Sequence, residues 1–277
     1  MNPVHQDDVV VPPLRVGLVG YGAIGSFVGD ALRCGKIDGA ELTGVYGSRN
    51  APGELAVADL DALLDNCDLV VEAAGPAKLV EVVPQALERG ITVVAVSTGA
   101  FLDDQLRHWL EPKPGLGQLI LSTGAIGGLD LVRAARAGSD RLEITLRSTK
   151  RPKALVQSWM SDAEAERLNT MTALDGPFEV FSGDAQSAAR LFPANLNVAA
   201  TLAIAAGDSA TVHIELVADE TAEQTRHEVS VSSDIGDYHL RFENKPTEDN
   251  PATSGLVRYA VLRCLTDAAG RSGAVFR

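Results

Sequence analysis

Six residues, Gly20-Tyr21-Gly22-Ala23-Ile24-Gly25, carry the most specific chemistry in the sequence. They follow the apolar run Leu14-Arg15-Val16-Gly17-Leu18-Val19 and open a helical stretch from Ile24 to about Cys34. In that strand-to-helix setting the glycine spacing predicts a pyrophosphate cradle. Gly20 permits the tight turn, Gly22 lets the backbone approach the phosphates, and Gly25 lets the helix pack closely on the strand. The helix N-terminus, with Ala23 and Ile24 in its first turn, offers unpaired N–H groups and the positive end of its dipole. A nicotinamide dinucleotide is the expected ligand. Which one depends on the end of the next strand, Glu41 to Tyr46, where an acid would bind a ribose 2′-hydroxyl. The chain has Gly47-Ser48-Arg49-Asn50 there instead. Ser48 and Arg49 would hydrogen-bond and neutralise a 2′-phosphate, so NADP is expected to serve at least as well as NAD.

Hydride transfer at a carbon bearing oxygen or nitrogen also needs a proton partner, and histidine is the usual one. The chain has five. His5 sits in a polar leader, and His108 lies in a polar helical patch beside Arg107 and Glu111. The other three fall in segments that alternate apolar and polar residues. His213 shares a face with Thr211 and Glu215, and His239 with Arg241, both opposite the apolar positions. His227 alone falls on the face of Val229 and Val231. Such a residue is either a satisfied core histidine or one that lines a pocket, and alternation does not choose between them.

These groups need a scaffold, and its outline is readable. Apolar runs at 14–19, 41–46, 68–74, 91–96 and 118–121 alternate with helical stretches, including Leu79-Val80-Val83-Leu87. That order predicts an N-terminal Rossmann domain, a doubly wound parallel sheet covered on both faces. The pattern changes after Gly127-Gly128, where Leu129 to Ala137 reads as a helix. Strands then alternate, at Leu142-Ile144-Leu146, Val212-Ile214-Leu216, Val229-Val231 and Tyr238-Leu240-Phe242. They predict a C-terminal α+β domain with a mainly antiparallel open sheet, with helices at 184–191 and 195–206. Asn250-Pro251 reads as the cap of a final helix to about Ala268. The expected division of this α/β chain is 1–127 and 128–250, with 251–277 packing back on the first domain. An antiparallel sheet left open on an apolar face commonly meets a symmetry mate, so a homodimer is expected.

The 277 residues suit two domains, and aromatics at 5% leave the core to aliphatic residues. A formal net charge of −13 repels phosphate backbones, so no nucleic-acid partner is expected, and an anionic ligand needs local donors. No apolar run reaches the length of a membrane span. Residues 1–13 do not read as a signal peptide. Cys34, Cys67 and Cys264 show neither metal-ligand nor disulfide spacing, so no metal and a cytoplasmic location are expected.

Several segments taken together resemble one family. They are the glycine loop, Asp68-Leu69-Val70-Val71-Glu72-Ala73-Ala74, Gly124-Ala125-Ile126-Gly127-Gly128-Leu129-Asp130, Phe192-Pro193-Ala194-Asn195-Leu196-Asn197-Val198-Ala199-Ala200-Thr201, His227-Glu228-Val229, Glu243-Asn244 and Asn250-Pro251-Ala252-Thr253-Ser254. Over nearly its whole length the chain resembles the L-aspartate dehydrogenases. The resemblance implies NAD(P)-dependent deamination of L-aspartate through iminoaspartate to oxaloacetate and ammonia, or the reverse, as a supply to NAD biosynthesis. It implies that His227 is the catalytic histidine, and that Ala74, Ala125 and Asn197 join the glycine loop in holding the cofactor. Candidate donors for the substrate carboxylates are Ser122, Thr123, the backbone at Gly124, and Lys150 or Arg151. Asn195, a suitable helix cap, is counted with them. The run Arg147-Ser148-Thr149-Lys150-Arg151-Pro152 matches the family's Arg-Lys-Pro-Pro segment loosely, and Arg226 precedes the histidine where smaller polar groups are common. These departures bear on substrate side-chain preference and, with Ser48-Arg49, on cofactor choice. A dehydrogenase of another amino or keto acid and a non-catalytic NADP-binding sensor are the rival readings.

Overall fold

The computed structural model describes residues 12–192, 197–247 and 253–270. In its first half β1 (Leu14–Val19), α1 (Ala23–Arg33), β2 (Ala40–Tyr46), α2 (Leu60–Leu64), β3 (Leu69–Glu72), α3 (Pro76–Glu88), β4 (Thr92–Ala95), α4 (Asp104–Arg107) and β5 (Leu119–Leu121) follow one another. The strands form a five-stranded parallel sheet in the order β2-β1-β3-β4-β5. Their near-continuous apolar sequences follow from burial on both faces: Val16, Leu18, Val70, Val71, Val93 and Val94 are all fully buried. The strand order reverses at β1 and β3. Ligands bind at such a switch point, beyond the C-terminal ends of the strands.

The second half contains α5 (Leu129–Ala137), β6 (Leu142–Lys150), α6 (Asp162–Thr170), β7 (Phe178–Asp184), α7 (Ala185–Leu191), α8 (Asn197–Ala206), β8 (Thr211–Ala218), β9 (Thr225–Ser233), β10 (Gly236–Asn244) and α9 (Gly255–Ala268). Its five-stranded sheet runs β10-β9-β6-β8-β7. All neighbours are antiparallel except β6 and β8, which are parallel. Ile144, Leu146, Ile214, Leu216, Val229 and Val231 line one face and share a core with Val132 of α5, Ala188 of α7 and Leu202 of α8. The apolar face is therefore covered within the chain. Its opposite carries Arg147–Glu215 at 2.8 Å, Arg226–Glu228 at 3.2 Å and Arg241–Glu243 at 2.5 Å. The open face is charged, so the reason given above for a homodimer, an apolar face left open, does not hold.

Helix α9 returns to the first sheet, where Val261 and Leu265 are fully buried in a cluster with Val16, Leu18 and Val45. Its cap is Ser254, whose hydroxyl accepts from the Leu256 N–H at 3.3 Å. The expected cap, Asn250-Pro251, lies outside the described residues. Strand β7 and helices α2 and α6 were not among the expected elements. Ser161 and Glu164 form a reciprocal capping box at the start of α6, a signal readable in the sequence. Among the described residues, no helix is long and apolar enough to cross a membrane.

Candidate active site

The glycine loop lies between the ends of β1, β2 and β3. Gly20 has φ +90°, and its N–H donates to the Tyr46 carbonyl at 2.9 Å. A Cβ there would meet the Ala73 carbonyl oxygen and the Ala74 Cβ at 2.8 Å. At Gly25 a Cβ would collide with the Gly20 carbonyl oxygen, so the start of α1 can approach the loop only without a side chain. At Gly22, the N-cap of α1, a Cβ would meet nothing within 4 Å. Two glycines are thus required by the protein's own packing, while the third faces open space at a helix N-terminus. That arrangement fits a dinucleotide pyrophosphate. Ala23 and Ile24 begin the helix, Ala74 is exposed beside the loop, and Ser48 and Arg49 follow β2, half-buried and exposed respectively.

A residue outside the expected set organises this edge. Glu72, the last residue of β3, is fully buried. Its Oε1 accepts from the N–H groups of Ala74 and Gly75, both at 2.8 Å, and from the Ser97 hydroxyl at 3.0 Å. Its Oε2 accepts from the Ser97 N–H at 3.0 Å. One carboxylate thereby ties together the loops that follow β3 and β4. Burial pushes its pKa up, against the opposing effect of these hydrogen bonds. The available signal was an acid ending the apolar run Leu69-Val70-Val71.

His227 sits in β9, only 4% exposed, opposite Ser148 of β6 and Phe242 of β10. Ser148 Oγ and His227 Nδ1 share a hydrogen bond of 2.8 Å. This partner lies 79 positions away and depends on a strand register that local patterning does not reveal. Lys150 ends β6 on the same face and is half-buried. Burial lowers its pKa to about 8. The imidazole is pushed down to about 3, first by burial and then by the Lys150 charge. At neutral pH His227 is therefore an uncharged base beside an ammonium group.

The segment after β5 approaches this face. Asn244, at the end of β10, donates from its side-chain amide to the Ala125 carbonyl at 2.7 Å. A Cβ on Gly127 would meet Phe242 at 3.7 Å, and one on Gly128 would meet Leu240 at 2.6 Å. Ser122 is buried, and its hydroxyl accepts from the Gly124 N–H at 3.2 Å, while Thr123 is exposed. Asn197, exposed at the start of α8, accepts at Oδ1 from the Gly99 N–H at 3.1 Å. Its carbonyl accepts from the Thr98 hydroxyl at 3.0 Å. Asn195 lies outside the described residues. The loops following β4 and β5 are thus each tied to the second half of the chain, one through Asn197 and one through Asn244. A surface depression lined by Arg15, Glu41, Thr43 and Asn66 is at the opposite, N-terminal edge of the parallel strands and contains none of the candidate residues.

Comparison with known proteins agrees with this arrangement. A family model for the aspartate dehydrogenase C-terminal region matches residues 130–268, and one for the homoserine dehydrogenase NAD-binding domain matches residues 20–113. The L-aspartate dehydrogenase of Methanocaldococcus jannaschii is 36% identical over 92% of this chain and 97% of its own length. That of Archaeoglobus fulgidus is 34% identical, covering 91% of this chain and 96% of its own. The crystal structure of aspartate dehydrogenase from Thermotoga maritima superimposes with a TM-score of 0.73 at 27% identity, covering 95% of this chain and 99% of that one. With a Rossmann half, a mixed second sheet and full-length relatives of one kind, the chain belongs to the L-aspartate dehydrogenase family.

Proposed function

We propose that the protein is an NAD(P)-dependent L-aspartate dehydrogenase that interconverts L-aspartate and water with oxaloacetate and ammonia, through iminoaspartate. The observation that carries this reading is the buried pair His227–Ser148 beside Lys150, on the sheet face approached by the loop after β5. Lys150 and the hydroxyls of Ser122 and Thr123 are the donors for the substrate carboxylates, with the Gly124 N–H holding the Ser122 oxygen in place. The backbone of Gly22 to Gly25 and the N-terminus of α1 hold the pyrophosphate, while Ala125 and Asn197 orient the nicotinamide end. The dinucleotide, when bound, supplies the hydride acceptor for the substrate α-carbon.

His227 Nδ1 is engaged by Ser148, so Nε2 is the atom that handles the proton. It accepts one from the water that adds to the imine carbon, and returns it as ammonia departs. An imidazole held near pKa 3 is a weak base. Substrate carboxylates lying against Lys150 offset its ammonium charge, the smaller of the two causes that depress the imidazole, and so raise its pKa, while burial, the larger cause, still holds it down. Substrate binding thereby prepares the base.

For the cofactor, the lack of a carboxylate at 47–50, together with exposed Arg49 and Ser48 beside it, supports NADP being used at least as well as NAD. The division proposed is 1–127 for the cofactor domain and 128–250 for the substrate domain, with 251–277 assigned to the first. Alternating Arg and Glu on the open face of the second sheet can pair with the same face of a second copy, which supports a homodimer, tested by light scattering. A cytoplasmic location is supported by the free cysteines Cys34, Cys67 and Cys264. The test of the activity is loss of reduced-nicotinamide absorbance with oxaloacetate plus ammonium, with NADPH and NADH in parallel. Oxidation that requires both oxaloacetate and ammonium is expected. Its absence in protein that binds dinucleotide overturns the assignment.

A further inference from the structure

The end of β2 holds a cluster of side chains outside the expected cofactor contacts. Lys78, in the first turn of α3, donates from Nζ to the Tyr46 hydroxyl at 3.0 Å and to Glu81 Oε2 at 2.6 Å. The Tyr46 hydroxyl donates to Glu81 Oε1 at 2.9 Å, which closes a triangle. The Lys78 ammonium also lies 4.5 Å from the centre of the Tyr46 ring. A lysine held in this way has given up its rotamer freedom before any ligand arrives.

Its position is what gives the cluster a use. Tyr46 is the last residue of β2, and its carbonyl accepts from the Gly20 N–H, so the strand end is joined directly to the phosphate loop. A Cβ on Gly47 would meet Lys78 Cε at 3.7 Å, so the lysine stem runs past the residue that precedes Ser48 and Arg49. In a Rossmann domain the adenosine ribose lies at this strand end. Lys78 and Glu81 each keep 34% of their side-chain exposure, so the cluster is open to solvent. Glu81 is the carboxylate of the cluster, but each of its oxygens already accepts a hydrogen bond, and Lys78 holds its carboxyl below the usual range. An ammonium group has three N–H donors, and Tyr46 and Glu81 account for two of them. Arg49 follows Gly47 by two positions, so β2 and α3 together bring two basic residues to this strand end on a chain whose formal net charge is −13.

We propose that Lys78 is a specificity-determining residue for the 2′-phosphate of NADP, acting with Ser48 and Arg49 and fixed in place by Tyr46 and Glu81. The proposal rests on the NADP reading above and names a contact from a separate element, α3. It is tested by titration calorimetry of adenosine 2′,5′-bisphosphate and adenosine 5′-monophosphate on the wild type, Lys78→Met and Lys78→Arg, with no turnover required. The wild type is expected to prefer the bisphosphate. Lys78→Met is expected to bind it about 10-fold more weakly, as for loss of one charge-assisted hydrogen bond, with the monophosphate held within about twofold. Lys78→Arg keeps the preference. Equal binding of both nucleotides by the wild type overturns the NADP reading and this proposal with it. A wild-type preference that survives intact in Lys78→Met overturns the role of Lys78 and leaves the cofactor reading standing. Should Lys78→Met bind neither nucleotide, Lys78→Gln is read in its place, and equal loss of both ligands there means a structural role and also overturns the proposal.

Discussion

Replacing His227 with Gln isolates the electrostatics of the buried site from its catalysis. In an unfolded chain the imidazole takes up its proton around pH 6.5, whereas in the fold it stays neutral until about pH 3. Between those values the unfolded state binds the proton and the folded state does not. The stability is therefore whole above about pH 6.5 and falls as pH falls, with a slope approaching ~1.4 kcal/mol per pH unit. Carried from about pH 7.5 to about pH 5, that linkage removes roughly 2 kcal/mol. Gln does not titrate and keeps a polar side chain of similar length, so the variant removes the proton linkage alone. Urea denaturation of both proteins at both pH values gives a double difference in which other groups cancel. The wild type should lose about 2 kcal/mol more than the variant on acidification. If the two proteins lose the same stability, His227 is not held neutral by burial, and the account of how substrate prepares the base fails with it.

Four other substitutions probe separate parts of the site. His227→Ala should lower kcat/KM by at least about 100-fold while leaving dinucleotide affinity unchanged, measured by steady-state kinetics and by fluorescence titration with NADPH. Gly22→Ala and Gly25→Ala should part company: the first keeps the wild-type melting temperature and loses dinucleotide binding, whereas the second loses both, because its Cβ meets the Gly20 carbonyl. Equal melting temperatures for the two would refute the packing argument. Glu72→Ala leaves the N–H groups of Ala74, Gly75 and Ser97 without their acceptor and should cost at least ~2 kcal/mol in urea denaturation, with a raised KM for the dinucleotide.

What the sequence revealed and what it hid divide along a physical line. The glycine loop was readable because its constraints are local: a turn at Gly20, a collision at Gly25 and open space at Gly22 act over a few residues. His227 was singled out because a strand has period two, so its neighbours Val229 and Val231 fix its face. The same rule placed His239 on the open side, where its Nδ1 meets Ser230 at 3.1 Å. Strand pairing is a different matter. Nothing within β6 or β8 reports that they run parallel to each other, and the contact of Ser148 with His227 exists only in the antiparallel register of β6 with β9. Glu72 and Lys78 were passed over for a related reason. An acid at the end of an apolar strand and a lysine in an amphipathic helix look ordinary until their partners, Ser97 and Tyr46, are known. The cover over the apolar side of the second sheet was hard to read because α8, one of the helices that form it, is apolar nearly all round and so marks no face of its own.

The return of α9 to the first sheet bears on the order of events during synthesis. Val261 and Leu265 complete the packing around Val16 and Leu18, yet about 240 residues are translated between these two groups. Domains usually fold as they emerge, the N-terminal one first. Here the earliest strand must wait with part of its apolar surface uncovered until the whole second sheet has left the ribosome. The second sheet can close its own core before then, so the later-made unit is free to mature first. A nascent chain stalled before Val257 would expose the β1 flank, which makes that flank the natural place for a chaperone to hold.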